Sequence, residues 1–192
     1  MTKAEFKEIL KEEKTLYLSD EQSQIKQMKR ICHMRYVIWR YLYYFRCCQY
    51  FSELRRSSDA GKLVRRIAKY KFRFYEKKKN QYSLKSGVEI GINCEIGRNC
   101  NIWHSGVVIN GAVGNNCIFH GNNIIGNKGN ARDDESPVLG NGVDVGAGAV
   151  IIGDVRIADN SFVGAGAVVT KSFEEEGSVI VGVPGKLLNI SR

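Results

Sequence analysis

The sequence has no apolar leader, no hydrophobic run long enough to cross a bilayer, and no CxxC pair among its 6 cysteines. Its most apolar stretch, Ile31 to Phe51, is interrupted by Arg35, Arg40 and Arg46, well inside the roughly 20 apolar residues that a spanning helix needs. Secretion and membrane insertion are therefore not expected, and the chain reads as cytoplasmic. Cysteines at 32, 47, 48, 94, 100 and 117 suggest neither a disulfide framework nor a zinc site, only reduced and mostly buried thiols, so no metal is expected. Glycine is almost absent from the first part: Gly61 stands alone there and all the others of the 20 lie beyond it. Histidine occurs 3 times in all, at 33, 104 and 120.

What is present changes near residue 85. Up to Lys85 there are 22 Lys and Arg against 9 Asp and Glu, and 15 of the aromatic residues; the remainder carries 7 against 11. The net charge of +9 thus comes from a helix-type front part followed by a glycine-rich β-type part. We expect a basic, aromatic-rich α-helical segment over residues 1–82 and a second unit over 83–192.

In the second unit aliphatic residues, often followed by Gly, recur every six positions: Ile90, Ile96, Ile102, Val108; then Val113, Phe119, Ile125; then Leu139, Val145, Ile151, Ile157, Val163, Val169. A helix repeats near 3.6 and a simple strand near 2, so a period of six implies short strands joined by tight turns. The product is a parallel β solenoid, with each aliphatic pointing into a narrow interior and coils stacked about 4.8 Å apart.

Ahead of it about three helices are expected, with Thr2 and Glu5, and Ser19 and Gln22, as capping boxes and Ser58-Asp59 as a third cap. Ile31, Met34, Ile38, Leu42 and Phe45 form one apolar stripe on the second helix.

The winding is disturbed twice, with eleven residues from Ile102 to Val113 and fourteen from Ile125 to Leu139. The first break holds His104. The second is a polar arm, residues 127–137, carrying Lys128, Arg132, Asp133, Asp134 and Glu135. A hydroxyl attacking a thioester needs a base to take its proton, and histidine is the residue best matched to neutral pH. His104, at the break, is the candidate base. His120, sixteen residues on and so close to one coil away, is a candidate substrate contact.

Over roughly Ser83 to Leu188 the sequence resembles serine O-acetyltransferases and their relatives, the sugar and polysaccharide O-acetyltransferases. The similarity is carried by His104-x-Gly106-x-Val108-Ile109-Asn110, Ile125-Gly126-Asn127, Pro137-Val138-Leu139-Gly140, Val145-Gly146-Ala147-Gly148-Ala149, Val163-Gly164-Ala165-Gly166-Ala167-Val168-Val169 and Gly182-Val183-Pro184. The resemblance implies a mainly β fold, a left-handed parallel β-helix with the N-terminal helical segment, assembled as a homotrimer with sites between neighbouring helices. It also implies acetyl-CoA as co-substrate, His104 as general base, and a carboxylate fifteen positions earlier, here Glu89, that orients it. In relatives the coenzyme lies along the C-terminal coils, which brings in Ala147, Gly148, Ala165 and Gly166, with Lys171 and Lys186 as candidate phosphate partners.

Serine-specific relatives place an aspartate before the base and an Arg-His pair in the arm, where this chain has Trp103, Glu135 and Ser136. An aromatic suits the apolar face of a sugar ring. The expectation is therefore an O-acetyltransferase acting on a sugar or polysaccharide hydroxyl, with Trp103, His120, Glu135 and Ser136 at the acceptor. Serine acetyl transfer and a non-catalytic trimeric ligand-binding β-helix are the alternatives. The cationic front part suggests a peripheral association with anionic membrane surfaces, at the inner face. Nucleic acid is not expected, because no recognised module accompanies the charge.

Overall fold

The computed structural model describes residues 1–18, 21–129 and 135–188, which divide into two compact units, Met1–Val88 and Glu89–Arg192. The division falls six residues after the expected boundary at residue 82. The reason is that the last helix of the first unit runs on to Ser86 and stops only at Gly87, whose left-handed backbone (φ 65°) closes it.

The first unit has four helices among the described residues where about three were expected: α1 (Lys3–Tyr17), α2 (Gln22–Arg30), α3 (Met34–Arg56) and α4 (Lys62–Ser86). Thr2 and Glu5 form the expected capping box on α1, each satisfying an amide that the first turn leaves free. The Ser19–Gln22 box lies partly outside the described residues. Ser58-Asp59 does not cap α4. Ser58 donates to Asp59 instead, and the N-cap is Gly61 with no side-chain bond.

The expected stripe is split as well. Cys32 takes a left-handed conformation (φ 51°) between α2 and α3, so Ile31 falls outside both helices and is exposed, while Ile38, Leu42 and Phe45 are buried. Helices α3 and α4 pack along an aromatic seam in which Tyr44 meets Tyr82 at 5.4 Å and Phe51 stacks on Tyr75 at 5.4 Å. Glu13 of α1 and Arg46 of α3 form a buried ion pair, Arg46 Nε to Glu13 Oε1 2.7 Å. Burial pushes the Glu13 carboxyl up, and the Arg46 guanidinium works against that shift. Burial also raises the Cys47 and Cys48 thiols to about 12. No described helix is long and apolar enough to cross a membrane.

The second unit is a left-handed parallel β-helix. Its short strands are β1 (Glu89–Ile90), β2 (Asn101–Ile102), β3 (Val108–Ile109), β4 (Ala112–Val113), β5 (Ile118–Phe119), β6 (Ile124–Gly126), β7 (Val138–Leu139), β8 (Asp144–Val145), β9 (Val150–Ile152), β10 (Arg156–Ile157), β11 (Phe162–Val163), β12 (Val168–Val169), β13 (Val179–Val181) and β14 (Lys186–Leu187). They stack into three sheets, ordered β1-β3-β6-β9-β12, β4-β7-β10 and β2-β5-β8-β11-β13-β14, parallel except for the final antiparallel β13–β14 pair. Each sheet sends one column inward. In the first it is Ile90, Ile109, Ile125, Ile151 and Val169; in the third Ile102, Phe119, Val145, Val163 and Ile180. All ten are essentially inaccessible.

Val108, expected inside, points out and is 36% exposed, while Ile109 takes the inner place. Seven residues therefore separate the inward Ile102 and Ile109, against six for Phe119 to Ile125, Val145 to Ile151 and Val163 to Val169. The corner that carries His104 holds one residue more than the corners stacked on it. The tight corners between the second and third sheets use Asn99, Asn116, Gly142, Asn160 and Gly177 at positive φ, the conformation these two residue types tolerate best.

Candidate active site

The chain passes from the third sheet to the first at residues 103–107, 120–123, 146–149 and 164–167, and these corners stack into one edge of the helix. Backbone bonds tie them together: Asn122 N–H to Ser105 C=O at 2.9 Å, Gly148 N–H to Gly121 C=O at 2.9 Å, and Gly166 N–H to Ala147 C=O at 2.9 Å. His104, His120, Ala147, Gly148, Ala165 and Gly166 therefore occupy successive coils of a single edge. At about 4.8 Å per coil, His104 stands ~10 Å from the Ala147 level and ~14 Å from the Ala165 level.

His104 is exposed at the lengthened corner. Gly121 lies directly against it, for a Cβ on Gly121 would come 2.7 Å from the His104 Cβ. Trp103 is 42% exposed, and its ring centroid is 4.4 Å from that of His120. His120 in turn places Nε2 2.9 Å from Asp144 Oδ1. Both atoms are withdrawn from solvent, and they meet as a close ion-pair contact without hydrogen-bond geometry. Asn123, fully buried, accepts from Gly121 N–H at 2.9 Å and donates to Gly146 C=O at 2.8 Å, fixing the corner from within.

Asp144 and Asn123 were not legible from the spacing. The arm lengthens the coil, so Ile118 is in register with Asp144, twenty-six positions on, where a regular coil such as Val145 to Val163 takes eighteen. Counting past the arm from the Gly146 end would have placed Asp144 beside His120.

Glu89 lies one coil from His104, in register with Val108, with its N–H bonded to Val107 C=O at 2.8 Å. Among the described residues no bond joins its exposed side chain to His104. Ser136 lies on a different edge, after β6, and lines a cavity of about 370 Å³ with Asn93, Cys94, Glu95 and Asn110; Glu135 is exposed nearby in sequence. Of the arm, Arg132, Asp133 and Asp134 lie outside the described residues. Lys171 follows β12, also off the His104 edge, with Nζ 5.4 Å from the Phe173 ring centroid. Lys186 sits on β14, opposite Val181.

Residues 136–171 match the family described as "Bacterial transferase hexapeptide (six repeats)". Coils β7 to β12 of the β-helix thus carry the hexapeptide repeat of that family. A serine acetyltransferase of Synechococcus elongatus is 36% identical over 108 residues, covering 55% of this chain and 44% of that protein. The chain therefore spans less than half the length of that relative. Among solved structures, a serine acetyltransferase from Brucella abortus aligns with a TM-score of 0.71 at 18% identity, covering 97% of this chain and 70% of that one. A serine acetyltransferase of the same organism in complex with coenzyme A gives 0.58 at 19% identity, covering 98% and 83%. The solved neighbours establish the fold of this chain.

Proposed function

We propose that the protein is an acetyl-CoA-dependent O-acetyltransferase in which His104 is the general base. The observation that carries this is the placement of His104 on the same edge as the small-residue corners Ala147-Gly148 and Ala165-Gly166, which leave open backbone along which a pantetheine arm can run. The imidazole takes the acceptor's proton as its oxygen forms a bond to the acetyl carbon. The C–S bond then breaks, and the departing thiolate takes the proton back from the imidazolium. General-base assistance of this kind is worth roughly 10²–10⁴ in rate. Backbone amides at the lengthened corner are the proposed donors to the oxyanion. Orientation of His104 by Glu89 belongs to the same proposal and requires a contact not made among the described residues of one chain.

Serine replaces the expected saccharide as the leading acceptor, because the sequence relative is a serine acetyltransferase. A saccharide hydroxyl is the second reading, favoured by the exposed Trp103 ring beside His120. Ser136 and Glu135 leave the helix from a different edge than His104, so they reach the base only from a neighbouring copy; we propose a homotrimer. Thiol release from acetyl-CoA, measured with serine and with a panel of sugars and oligosaccharides, separates these readings. Saturable serine dependence supports the leading one, sugar dependence alone the second, and turnover with neither defeats the proposal.

A further inference from the structure

We infer that the outward face of α4 is a docking surface for an anionic lipid bilayer. Helix α4 buries one narrow face, through Ala68, Phe72 and Ser86, with Phe72 under Arg55 at 4.2 Å and Tyr82 against Tyr44. At 3.6 residues per turn, Leu63, Ile67, Tyr70 and Phe74 line up on the opposite side. They are 70%, 47%, 61% and 57% exposed, an apolar row with no partner among the described residues of this chain. A soluble helix ordinarily keeps that face polar.

The charges that border the row point to its occupant. Lys62, Arg66, Lys69 and Arg73 fall along one flank and Lys71 and Lys78 along the other. The whole helix carries 10 Lys and Arg against a single acid, Glu76. An apolar row with aromatic residues, lined on both sides by cations, is the pattern of a helix lying in the headgroup layer of a negatively charged membrane. Self-association through this face would bring two such cationic flanks together. Binding to a nucleic-acid backbone would use the cations and leave the apolar row without a purpose.

The inference does not depend on the catalytic proposal. The test is co-sedimentation of the full chain with phosphatidylcholine vesicles with and without phosphatidylglycerol, alongside Ile67→Gln/Phe74→Gln and Arg66→Gln/Lys69→Gln/Arg73→Gln, all exposed positions. Circular dichroism checks that each variant keeps the helical unit. We expect wild type to bind the anionic vesicles only, and each variant to bind them about tenfold more weakly. Equal binding to neutral vesicles, full binding by the apolar variant, or a change in oligomer size in that variant without any vesicle binding by wild type would each overturn the inference.

Discussion

His120 Nε2, on the edge that also carries His104, lies 2.9 Å from Asp144 Oδ1 of β8. The pair holds the imidazole beneath Trp103, 4.4 Å between ring centroids, and so shapes the surface that an acceptor would meet next to the base. The two atoms meet as an ion pair without hydrogen-bond geometry, and a partly exposed pair of this kind contributes about 0.2–1 kcal/mol. Asp144→Asn should accordingly raise the acceptor KM by up to about fivefold while leaving the acetyl-CoA KM unchanged. Steady-state kinetics with each substrate varied in turn make the comparison.

Gly121 tests the corner from the other side. Its φ of 117° and the 2.7 Å approach of the His104 Cβ leave no room for a side chain. Gly121→Ala must move His104 and strain the backbone, at a cost of about 1–3 kcal/mol. A modest fall in melting temperature should accompany a loss of acetyl transfer of about a hundredfold, the scale expected for a misplaced catalytic group.

Ala165 is exposed on the edge at ordinary φ, so bulk can be added without backbone strain. Ala165→Phe should raise the acetyl-CoA KM several-fold with little change in stability or in the acceptor KM. An unchanged acetyl-CoA KM would remove this edge as the coenzyme's path.

The helical unit has its own weak point in the Glu13–Arg46 pair. Glu13→Ala leaves a buried guanidinium without its carboxylate, which costs about 3–5 kcal/mol. Chemical denaturation followed by far-ultraviolet circular dichroism should show it, and replacing both residues by apolar ones of similar volume should recover much of the loss.

The six-residue repeat was legible because each inward residue occupies one strand, so Phe119, Ile125, Val145 and Val163 could be assigned from spacing alone. Val108 could not, because Val107, Val108 and Ile109 are all aliphatic and the extra residue at the His104 corner shifts which one turns inward. The His104 edge was legible through His104, Ala147 and Ala165, whose positions follow the repeat. Asp144 was hidden by the arm, which changes the coil length between Ile118 and its register partner. The helical unit was less legible still: a break at Cys32 depends on one residue's left-handed backbone, and an apolar stripe through it looks continuous in sequence.

The central claim is that His104 is the base. The direct measurement is acceptor-dependent thiol release from acetyl-CoA by wild type and His104→Ala, together with coenzyme A binding by calorimetry. Loss of turnover by about 10²-fold or more, with coenzyme A binding and folding retained, is the predicted result. Turnover by His104→Ala within about threefold of wild type, against the 10²–10⁴ that a general base supplies, would contradict it.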